Sequence, residues 1–405
     1  MRTLTLKRKS IIGMSKLLVM ALLILNFTAC KQDTPSIISE NCEDTNSDLS
    51  LKAAALHYTR TVFTGGGTNE HSFRIPSIVM APNGWLIAFA ECRRQSASDW
   101  GDINLVYKIS TDHGLNWGSL KELVGAGDGT WGNPTAVTDF ETGRVWVFFN
   151  WNAGDKNSMD DLGVGDRRVY CSYSDNNGTT FSTRVNMTST LQPPNWTWDA
   201  IGPGVGIQTT QANAGRLIIP ARGRNIYSDD HGVTWKYKSI TGGLGESTIV
   251  ELPDGNLWRN DRPTTAEWDV SKRRRVAKSS DKNTLAFNAY TIHNTLYDPK
   301  CEGSMVRYTS NTPYRIYFLN PASTVDRCKM TVRISYDNGT TWPRSRRLDE
   351  NDCSNGIGGY SSMTRTDNYS VGALVEKVSS SGNWSIQYHE FNLPWILEPY
   401  GGVEP

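Results

Sequence analysis

The sequence predicts an all-β fold, a single six-bladed β-propeller of four-stranded antiparallel blades, from three observations. The chain has 36 Gly and 14 Trp among 405 residues, a composition that suits turns joined by short aromatic-rich strands and disfavours long helices. A short motif with fixed Gly and Trp positions recurs along the chain. Its copies are spaced by about the length of one four-stranded blade. Coiled coils and helical bundles are therefore excluded.

The motif reads S-x-D-x-G-x-x-W in its three strongest copies. These copies span Ser110–Trp117, Ser228–Trp235 and Ser335–Trp342. Weaker copies occur at Ser174–Phe181, where Asn176 replaces Asp, and near Ser279, where Asn283 stands in the Gly position. The pattern predicts a hairpin turn in which Asp caps its own backbone, Gly supplies a positive φ and Trp packs beneath the blade. A calcium loop requires further carboxylates and a distal Glu, which do not follow, so we expect a structural role.

The spacing of the copies predicts the number of blades. The third motif positions, 112, 176, 230, 281 and 337, are separated by 51 to 64 residues, about 56 on average. The region 57–397 therefore has the length of six blades and leaves no room for a second domain. The stretches Trp85–Ala90, Val145–Phe149, Arg216–Pro220 and Arg315–Leu319 have the β-branched and aromatic character of blade strands. Residues 398–405 are predicted to form a short tail.

The charge balance excludes one class of function. The chain carries 42 Lys+Arg against 41 Asp+Glu, a formal net charge of +1, so it lacks the general attraction to phosphate backbones that nucleic-acid-binding proteins have. The basic run Lys272–Arg275 is a local exception. In a neutral chain we expect this run to be a solvated strand edge, and we predict no nucleic-acid partner.

The N-terminus is typical of an export signal. Basic residues precede the apolar run Leu17–Leu25, which is too short to span a bilayer, and Thr28-Ala29-Cys30 follows. A buried N-terminal helix is the alternative. The triplet resembles the lipobox of bacterial lipoproteins, which implies a signal peptide at 1–29, lipid attachment at Cys30 and a polar tether over 30–56. We therefore expect an exported bacterial lipoprotein, held to the membrane by its N-terminal lipid and located at the outer membrane, in the periplasm or at the cell surface.

The other cysteines and the histidines predict no metal site. An even number of cysteines remains without Cys30, namely Cys42, Cys92, Cys171, Cys301, Cys328 and Cys353. Disulfides are possible after export, although the pairing is not readable from the sequence. The cysteine spacings match no zinc pattern, and the six histidines form no H-x-x-x-H arrangement. We predict no metal and no cofactor.

Three segments outside the repeat carry a family resemblance. They are Phe73-Arg74-Ile75-Pro76, Ala90-Glu91-Cys92-Arg93 followed by Asp99, and Gly359-Tyr360-Ser361-Ser362. Together with the repeated motif, these segments resemble the exo-α-sialidases (neuraminidases), in the same order along the chain. The resemblance covers about residues 57–397. It implies the sialidase propeller, in which residues from distant blades meet at one end of the channel.

The substrate that the resemblance implies accounts for three arginines. Sialic acid bears a carboxylate on its anomeric carbon, and planar guanidinium groups bind carboxylates better than lysine does. The matching motif positions imply that Arg74, Arg262 and Arg327 bind this carboxylate. Arg259 lies close to Arg262 in sequence and is the alternative to it.

Four further positions are implied to support the substrate. Glu376 matches the family carboxylate that braces the first arginine, and Arg93 matches an arginine near the substituents of the sugar ring. Asn133 and Trp151 match positions that line the hydroxyl and N-acetyl pockets. Asn133 stands where some relatives have Asp.

The resemblance also implies the catalytic residues. A carboxylate nucleophile would have to approach a carbon that already bears a carboxylate, so a neutral phenol assisted by a base is the better solution. Tyr360 matches the nucleophile, and Glu246 matches the base that accepts its proton. Asp99 matches the acid/base that protonates the leaving oxygen and later activates water.

The sequence therefore predicts a retaining exo-α-sialidase that hydrolyses terminal α-linked sialic acids from glycoproteins, glycolipids and sialyl-oligosaccharides. A trans-sialidase and a sialic-acid-binding lectin on a sialidase scaffold are the alternatives. A lectin predicts loss of Asp99, Tyr360 or Glu246, and all three are present. Trans-sialidases often carry an added lectin domain, for which the repeat spacing leaves no space.

Overall fold

The computed structural model consists of antiparallel blades arranged in a ring around a central channel. It describes residues 53–405 except 126, 128, 157, 310, 311, 349–352 and 354–357. The predicted signal peptide, Cys30 and the tether up to residue 52 lie outside the described residues. Within the described part of the chain, no helix is long and apolar enough to cross a membrane.

The first half of the described chain forms three blades. Strand β1 (His57–Phe63) comes first and pairs with the last strand of the chain. Blade 1 contains β2 (Ser72–Met80), β3 (Leu86–Arg93), β4 (Ile103–Ser110) and β5 (Lys121–Val124). Blade 2 contains β6 (Gly129–Asp139), β7 (Arg144–Ala153), β8 (Arg168–Ser174) and β9 (Val185–Asn186). The short β10 (Gly204–Val205) pairs with β6, and blade 3 contains β11 (Ile207–Gln208), β12 (Leu217–Ala221), β13 (Arg224–Ser228) and β14 (Lys236–Ser239).

The second half forms the other three blades. Blade 4 contains β15 (Ser247–Glu251), β16 (Leu257–Asp261), β17 (Arg273–Asp281), β18 (Ala286–Phe287) and β19 (Thr291–Tyr297). Blade 5 contains β20 (Ser304–Thr309), β21 (Arg315–Pro321), β22 (Met330–Ser335) and β23 (Arg344–Arg347). Blade 6 contains β24 (Ser361–Arg365), β25 (Ser370–Val378) and β26 (Trp384–Asn392), with β1 as its fourth strand.

The ring is closed by the two ends of the described chain. Strand β1 pairs antiparallel with β26, from His57 opposite Phe391 to Phe63 opposite Ile386. A single parallel bridge between Ile103 and Thr130 joins blades 1 and 2 into one continuous sheet. The first strands of neighbouring blades contact one another, as β2 does with β6 and β24. These strands therefore line the central channel, and the six-bladed prediction is confirmed.

The repeated motif forms the turn that the sequence predicts. In blade 1, Asp112 Oδ1 accepts a hydrogen bond from the Asn116 amide at 2.9 Å, and Ser110 Oγ accepts one from the Gly114 amide at 2.8 Å. Gly114 has a φ of 82°. A Cβ at Gly114 would lie 2.1 Å from the ring of Tyr388 in blade 6. The glycine is therefore required both for its φ and for close packing between blades.

The same contact recurs around the ring. The motif glycines of blades 2, 3 and 5 each lie against a side chain of the preceding blade, in the pairs Gly178 and Ile87, Gly232 and Trp146, and Gly339 and Trp258. The weak copy in blade 4 forms a different turn. There Asp281 accepts from the Asn283 amide at 2.9 Å, and the positive φ, 58°, belongs to Leu285 rather than to Asn283.

In the part of the chain that the structure describes, three short helices lie outside the blades. They are α1 (Thr188–Leu191), α2 (Thr265–Ser271) and α3 (Leu393–Leu397). Helix α2 begins with a capping box between Thr264 and Glu267. Two 3₁₀ turns span Met159–Asp161 and Glu398–Tyr400. Residues 398–405, expected as a tail, pack against blade 5, where Glu404 accepts two hydrogen bonds from the buried Arg315 at 2.5 and 2.6 Å.

The basic run Lys272–Arg275 is not a solvated edge, so that expectation is wrong. Arg274 is fully buried and donates to Asn260 Oδ1 at 2.7 Å and to Asp298 Oδ2 at 3.2 Å. Arg275 is also buried and lies 3.2 Å from a carboxylate oxygen of Glu267. Acidic partners from other segments make burial of these two guanidinium groups possible, and the four-residue pattern gives no sign of them.

Candidate active site

The predicted site residues lie at one end of the channel, because the strand directions alternate in the same way in every blade. The first strand of each blade begins at this end, and the second strand returns to it. Arg74 lies near the start of β2, and Tyr360 directly precedes β24. Arg93 and Glu376 lie near the ends of the second strands of blades 1 and 6.

Arg74 is held by Glu376. Arg74 Nε and Nη2 donate to the two carboxylate oxygens of Glu376 at 3.1 and 3.0 Å, and both side chains are buried. The same carboxylate accepts from the amides of Ile75 at 2.7 Å and Tyr360 at 2.9 Å. Glu376 therefore fixes the first arginine and the predicted nucleophile together. A Cβ at Gly359 would lie 2.1 Å from Glu376 Oε2, so the glycine before Tyr360 leaves room for this carboxylate.

The backbone beside Arg74 is strained. Ile75 has a φ of 55°, which is rare for a β-branched residue, and the pairing of β2 with β3 shifts register between Arg74 and Ser77. Asn133, φ 58°, also precedes a proline, at a register shift in β6. Both irregularities lie at the active-site end of an inner strand. Such strain is held by the surrounding structure and is typical of functional sites.

Tyr360, Glu246 and Arg262 form a hydrogen-bonded triad. The Tyr360 hydroxyl donates to Glu246 Oε1 at 2.5 Å. Arg262 Nη1 donates to Tyr360 Oη at 2.7 Å and to Glu246 Oε2 at 2.8 Å. Burial raises the pKa of the Tyr360 phenol well above its ordinary value, although the charge of Arg262 acts in the opposite direction. The phenol therefore carries its proton at neutral pH, beside a carboxylate that can accept it.

The structure decides between Arg259 and Arg262. Arg259 is fully buried, and its donors are taken by Asp261, Asn225 and two backbone carbonyls. These partners occupy the donors of the Arg259 guanidinium, so it offers none to the channel. Arg262 is the one that reaches Tyr360.

Two guanidinium groups flank the Tyr360 ring. The Cζ atoms of Arg74 and Arg327 lie 5.4 and 5.3 Å from its centroid. The Arg327 carbonyl accepts from the Gly358 amide at 2.5 Å. Cys328, the next residue, forms a disulfide with Cys353. Cys92, Cys171 and Cys301 are buried thiols. The disulfide and the backbone bond tie the Arg327 loop to the segment that leads to Tyr360.

Asp99 lies between two arginines at the mouth of the site. Its Oδ1 is 2.7 Å from Arg93 Nη1 and 3.5 Å from Arg74 Nη1, and its side chain is 67% exposed. Partial desolvation by the surrounding residues alone would raise the pKa of Asp99. The charges of Arg93 and Arg74 outweigh this effect and lower the pKa below its ordinary value. A carboxylate that faces solvent and touches two site arginines can respond directly to a bound anion.

The other predicted pocket residues differ in how closely they join this group. Arg93 donates to Glu91 Oε2 at 3.1 and 2.8 Å, and Glu91 Oε1 accepts from the Asn133 amide at 3.1 Å. Glu91 thus links Arg93 to Asn133, although sequence reasoning assigned it no role. Trp151 packs on Trp131, with 5.9 Å between ring centroids, and Arg168 of the same blade lies over the Trp151 ring.

Glu302 and Cys301 are residues beneath Tyr360 that sequence reasoning missed. Glu302 is buried, and its Oε2 accepts from the amide of Ser361 at 2.8 Å. Burial raises the pKa of Glu302 well above its ordinary value. Cys301 packs with Ile75 and Tyr360, and burial raises the pKa of its thiol to about 12. No motif marks these residues, because their importance arises from contact with the strand that follows Tyr360.

Known proteins resemble this chain over most of its length. Residues 84–375 match the family model described as BNR repeat-like domain. An exo-alpha-sialidase from Aspergillus fumigatus is 40% identical over 362 residues, which cover 82% of this chain and 86% of that protein. An exo-alpha-sialidase from Arthroderma benhamiae is 41% identical over 363 residues, with 82% of this chain and 86% of that protein covered.

The chain belongs to the exo-alpha-sialidase family. It is therefore a glycoside hydrolase. Among solved structures, a Hadza microbial sialidase superposes with a TM-score of 0.71 at 26% identity, covering 84% of this chain and 69% of that one. In this chain the propeller brings residues from several blades together at one end of the channel.

The described part of this sialidase contains no group of three or more His, Cys, Asp or Glu side chains placed to hold a metal ion. The carboxylates of the site are instead paired with arginines, as Glu376 is with Arg74 and Glu246 is with Arg262. Guanidinium groups therefore supply positive charge at this end of the channel.

Proposed function

We propose that this sialidase hydrolyses terminal α-linked sialic acids of glycoproteins, glycolipids and sialyl-oligosaccharides with retention of configuration, through a tyrosine nucleophile. One observation carries the proposal. The Tyr360 hydroxyl donates to Glu246 at 2.5 Å, and Arg262 donates to both groups. A phenol with a raised pKa is a poor nucleophile unless a base accepts its proton, and Glu246 is placed to do so.

The carboxylate of sialic acid binds to Arg74, Arg262 and Arg327. Arg74 and Arg327 flank the Tyr360 ring, and Arg262 donates to its hydroxyl, so an anion held by all three lies next to the phenol oxygen. Charge-assisted hydrogen bonds contribute on the order of 1.5–3 kcal/mol each. Removing one arginine is expected to weaken substrate binding roughly tenfold or more.

The first chemical step forms a glycosyl-tyrosine. Tyr360 Oη attacks the anomeric carbon as its proton passes to Glu246, and Asp99 protonates the leaving oxygen, so the remainder of the glycan leaves as an alcohol. The carboxylate of the substrate accepts hydrogen bonds from Arg74 and so weakens the hold of Arg74 on Asp99. This change favours the protonated form of Asp99 that the step requires.

The second step releases sialic acid. Asp99, now ionised, takes a proton from a water molecule, whose oxygen attacks the anomeric carbon from the side that the leaving group occupied. The bond to Tyr360 breaks, and Glu246 returns the proton to Tyr360 Oη. Two displacements on the same carbon give net retention.

The test measures release of free sialic acid from sialyllactose and the anomeric configuration of the first product by proton NMR. We expect release of the α-anomer by the wild type and a loss of about 10³-fold or more in Tyr360→Phe. The matched control is Tyr314→Phe, a buried tyrosine beside Glu251, which should retain full activity. Undiminished release by Tyr360→Phe, or a β-anomer as first product, contradicts the mechanism.

The same assay separates the two alternatives. A lectin on a sialidase scaffold binds sialyllactose and releases nothing. A trans-sialidase moves the sugar to an added galactoside acceptor instead of releasing free sialic acid.

We also propose that the protein is an exported bacterial lipoprotein with a lipid on Cys30. The sequence at 28–30 supports this proposal. The test is incorporation of labelled fatty acid by the wild type and its loss in Cys30→Ala. If the Cys30→Ala protein is still membrane-bound, the lipid anchor is wrong.

A further inference from the structure

The second strand of a blade ends at the active-site end of the channel, and in most blades its end or the loop after it supplies a site residue. Blade 1 supplies Arg93, blade 4 supplies Arg262, blade 5 supplies Arg327 and blade 6 supplies Glu376. In blade 3 the corresponding residue is Arg222, in the turn between β12 and β13. Nothing in the mechanism above uses Arg222.

Arg222 lies against two tryptophans of the loop before β10. Its Cζ is 4.8 Å from the ring centroid of Trp196 and 5.5 Å from that of Trp198, and its Nη1 donates to the Trp198 carbonyl at 3.4 Å. All three side chains are half-buried. A guanidinium and two indole rings that remain partly accessible offer one charged and two flat apolar surfaces to a ligand.

The charge of Arg222 is not compensated by a carboxylate. The nearest acidic residue, Asp199, is fully buried and is bound by both ends of the Arg224 guanidinium, at 2.8 and 2.7 Å. Within the described residues, Arg222 has no carboxylate partner within 4.0 Å. Burial lowers its pKa, and Arg224 opposes the effect of Asp199. Such a group is stabilised by an anion that comes from outside the chain.

The loop that carries the tryptophans borders the catalytic group on two sides. The Asp199 carbonyl accepts from Arg167 Nε at 2.7 Å. Burial lowers the pKa of Arg167, and the charges of Glu91, Asp199 and Asp99 act in the opposite direction. Further along, the Gly202 carbonyl accepts from the amide of Ser247, the residue after Glu246, at 3.1 Å. The loop therefore runs from the side of the acid/base to the side of the base.

We propose that Arg222, with Trp196 and Trp198, forms a subsite for an anionic group on the sugar to which the terminal sialic acid is linked. The proposal rests on the proposed function, because it places this sugar beside the catalytic group. The anion is a carboxylate, as on an inner sialic acid, or a sulfate on a neutral sugar. The ring of that sugar lies against the indoles, and the anion accepts hydrogen bonds from Arg222.

The test compares kcat/KM of the wild type and Arg222→Gln on four substrates. Two have a neutral leaving part, 4-methylumbelliferyl sialoside and sialyllactose. Two have an anionic one, an α2-8-linked sialic acid dimer and a 6-sulfated sialyl-N-acetyllactosamine. We expect the variant to lose roughly tenfold or more on at least one anionic substrate and less than about twofold on both neutral ones. The anionic substrate on which Arg222→Gln loses kcat/KM identifies the anion as carboxylate or sulfate.

Two further variants serve as controls. Arg222→Glu should deepen the loss on the responding substrate and leave the neutral ones unchanged. Arg184→Gln removes another arginine that lies over a tryptophan, Trp131 at 4.9 Å, beside the outermost strand of blade 2, and it should change none of the four values. Equal loss on all four substrates, or no loss on any, overturns the subsite. Absence of wild-type activity on the neutral pair overturns the proposed function instead.

Discussion

The two ends of the channel contain nearly the same buried arrangement, a carboxylate that accepts from an arginine and from backbone amides, but the surroundings of the two carboxylates differ. At the active-site end, Glu376 is 1% exposed and accepts from Arg74 and from the amides of Ile75 and Tyr360. At the opposite end, Glu251 is 2% exposed and accepts from Arg307, from Thr210 and from the two amides that follow it.

The difference lies in what each carboxylate holds. Glu376 orients Arg74 and Tyr360, whose remaining polar atoms contact Asp99 and Glu246. Glu251 holds a turn and Arg307, whose second nitrogen is taken by Thr210 at 3.0 Å. A cavity of about 170 Å³ lies at this end, lined mainly by apolar residues such as Met80, Val205 and Met363. Buried ion pairs therefore mark a site only when their partners keep donors or acceptors for a ligand.

The largest effect is expected at the exposed carboxylate of the active-site end. Asp99→Asn should lower kcat on sialyllactose by about 10²–10⁴-fold, because the leaving oxygen loses its acid. The first turnover of 4-methylumbelliferyl sialoside should be affected far less, since its phenol leaves with little protonation. Rapid-mixing kinetics measure both. Equal losses on the two substrates contradict the role of Asp99 as the acid.

A matched pair of variants tests the difference between the two ends of the channel. Glu376→Ala and Glu251→Ala should each lower the free energy of unfolding by about 3 kcal/mol, because each leaves an arginine and backbone amides without a partner. Only Glu376→Ala should also lower kcat/KM, by about 10²-fold or more, since Arg74 and Tyr360 lose their support. Denaturant unfolding gives the stability, and kinetics under conditions in which each variant is fully folded give kcat/KM. A comparable loss of kcat/KM in Glu251→Ala shows that the opposite end contributes to catalysis.

The repeated turns at the opposite end should affect stability alone. Gly114→Ala places a Cβ 2.1 Å from Tyr388 in a backbone with φ 82°, whereas Gly382→Ala has a similar φ of 85° and nothing within 4 Å. We expect about 2–4 kcal/mol of destabilisation for Gly114→Ala and about 1 kcal/mol for Gly382→Ala. Thermal unfolding distinguishes them. KM for sialyllactose should be unchanged in both, and an altered KM in Gly114→Ala contradicts a purely structural turn.

The smallest effects are expected at Glu302, which supports the strand after Tyr360 and, among the described residues, has no basic side chain within 4.0 Å. Glu302→Gln keeps an acceptor for the Ser361 amide and should retain kcat within about twofold, whereas Glu302→Leu should lower kcat about tenfold. KM should change little in either variant, because the arginines that bind the carboxylate are untouched. A tenfold loss of kcat in Glu302→Gln indicates that the negative charge of Glu302 is required.

Stability as a function of pH tests the protonation of Glu302. Burial raises its pKa in the folded protein above its ordinary value of 4.5, so above that pH the folded state keeps a proton that the unfolded chain has released. The contribution of Glu302 to the free energy of unfolding of the wild type therefore falls as pH rises from 4.5 toward the folded pKa. Glu302→Gln removes this pH dependence, because Gln does not titrate. The difference in unfolding free energy, Glu302→Gln minus wild type, should grow as pH rises from about 4 to about 7. A difference that is flat with pH shows that the carboxyl is ionised in the folded protein.

The features that could be predicted from the residue pattern are local or repeated. The motif turns, their spacing and the six blades follow from residues within a few positions of one another, whose hydrogen bonds and φ values close within a single turn. The arginines, Asp99, Tyr360 and Glu246 could be proposed because they lie in recognisable segments. The fourth blade shows the limit, since its degenerate copy at Asn283 forms a different turn.

Which of these groups remain available to a ligand depends on contacts between distant segments that the fold brings together. Arg259 and Arg262 are three residues apart, yet one is saturated by Asp261 and Asn225 and the other reaches Tyr360. In the basic run at 272–275, Arg274 and Arg275 are buried against acidic partners from other segments. Whether a buried charge is neutralised within the fold or left for substrate depends on donors and acceptors from different blades. No local pattern of residues records that pairing.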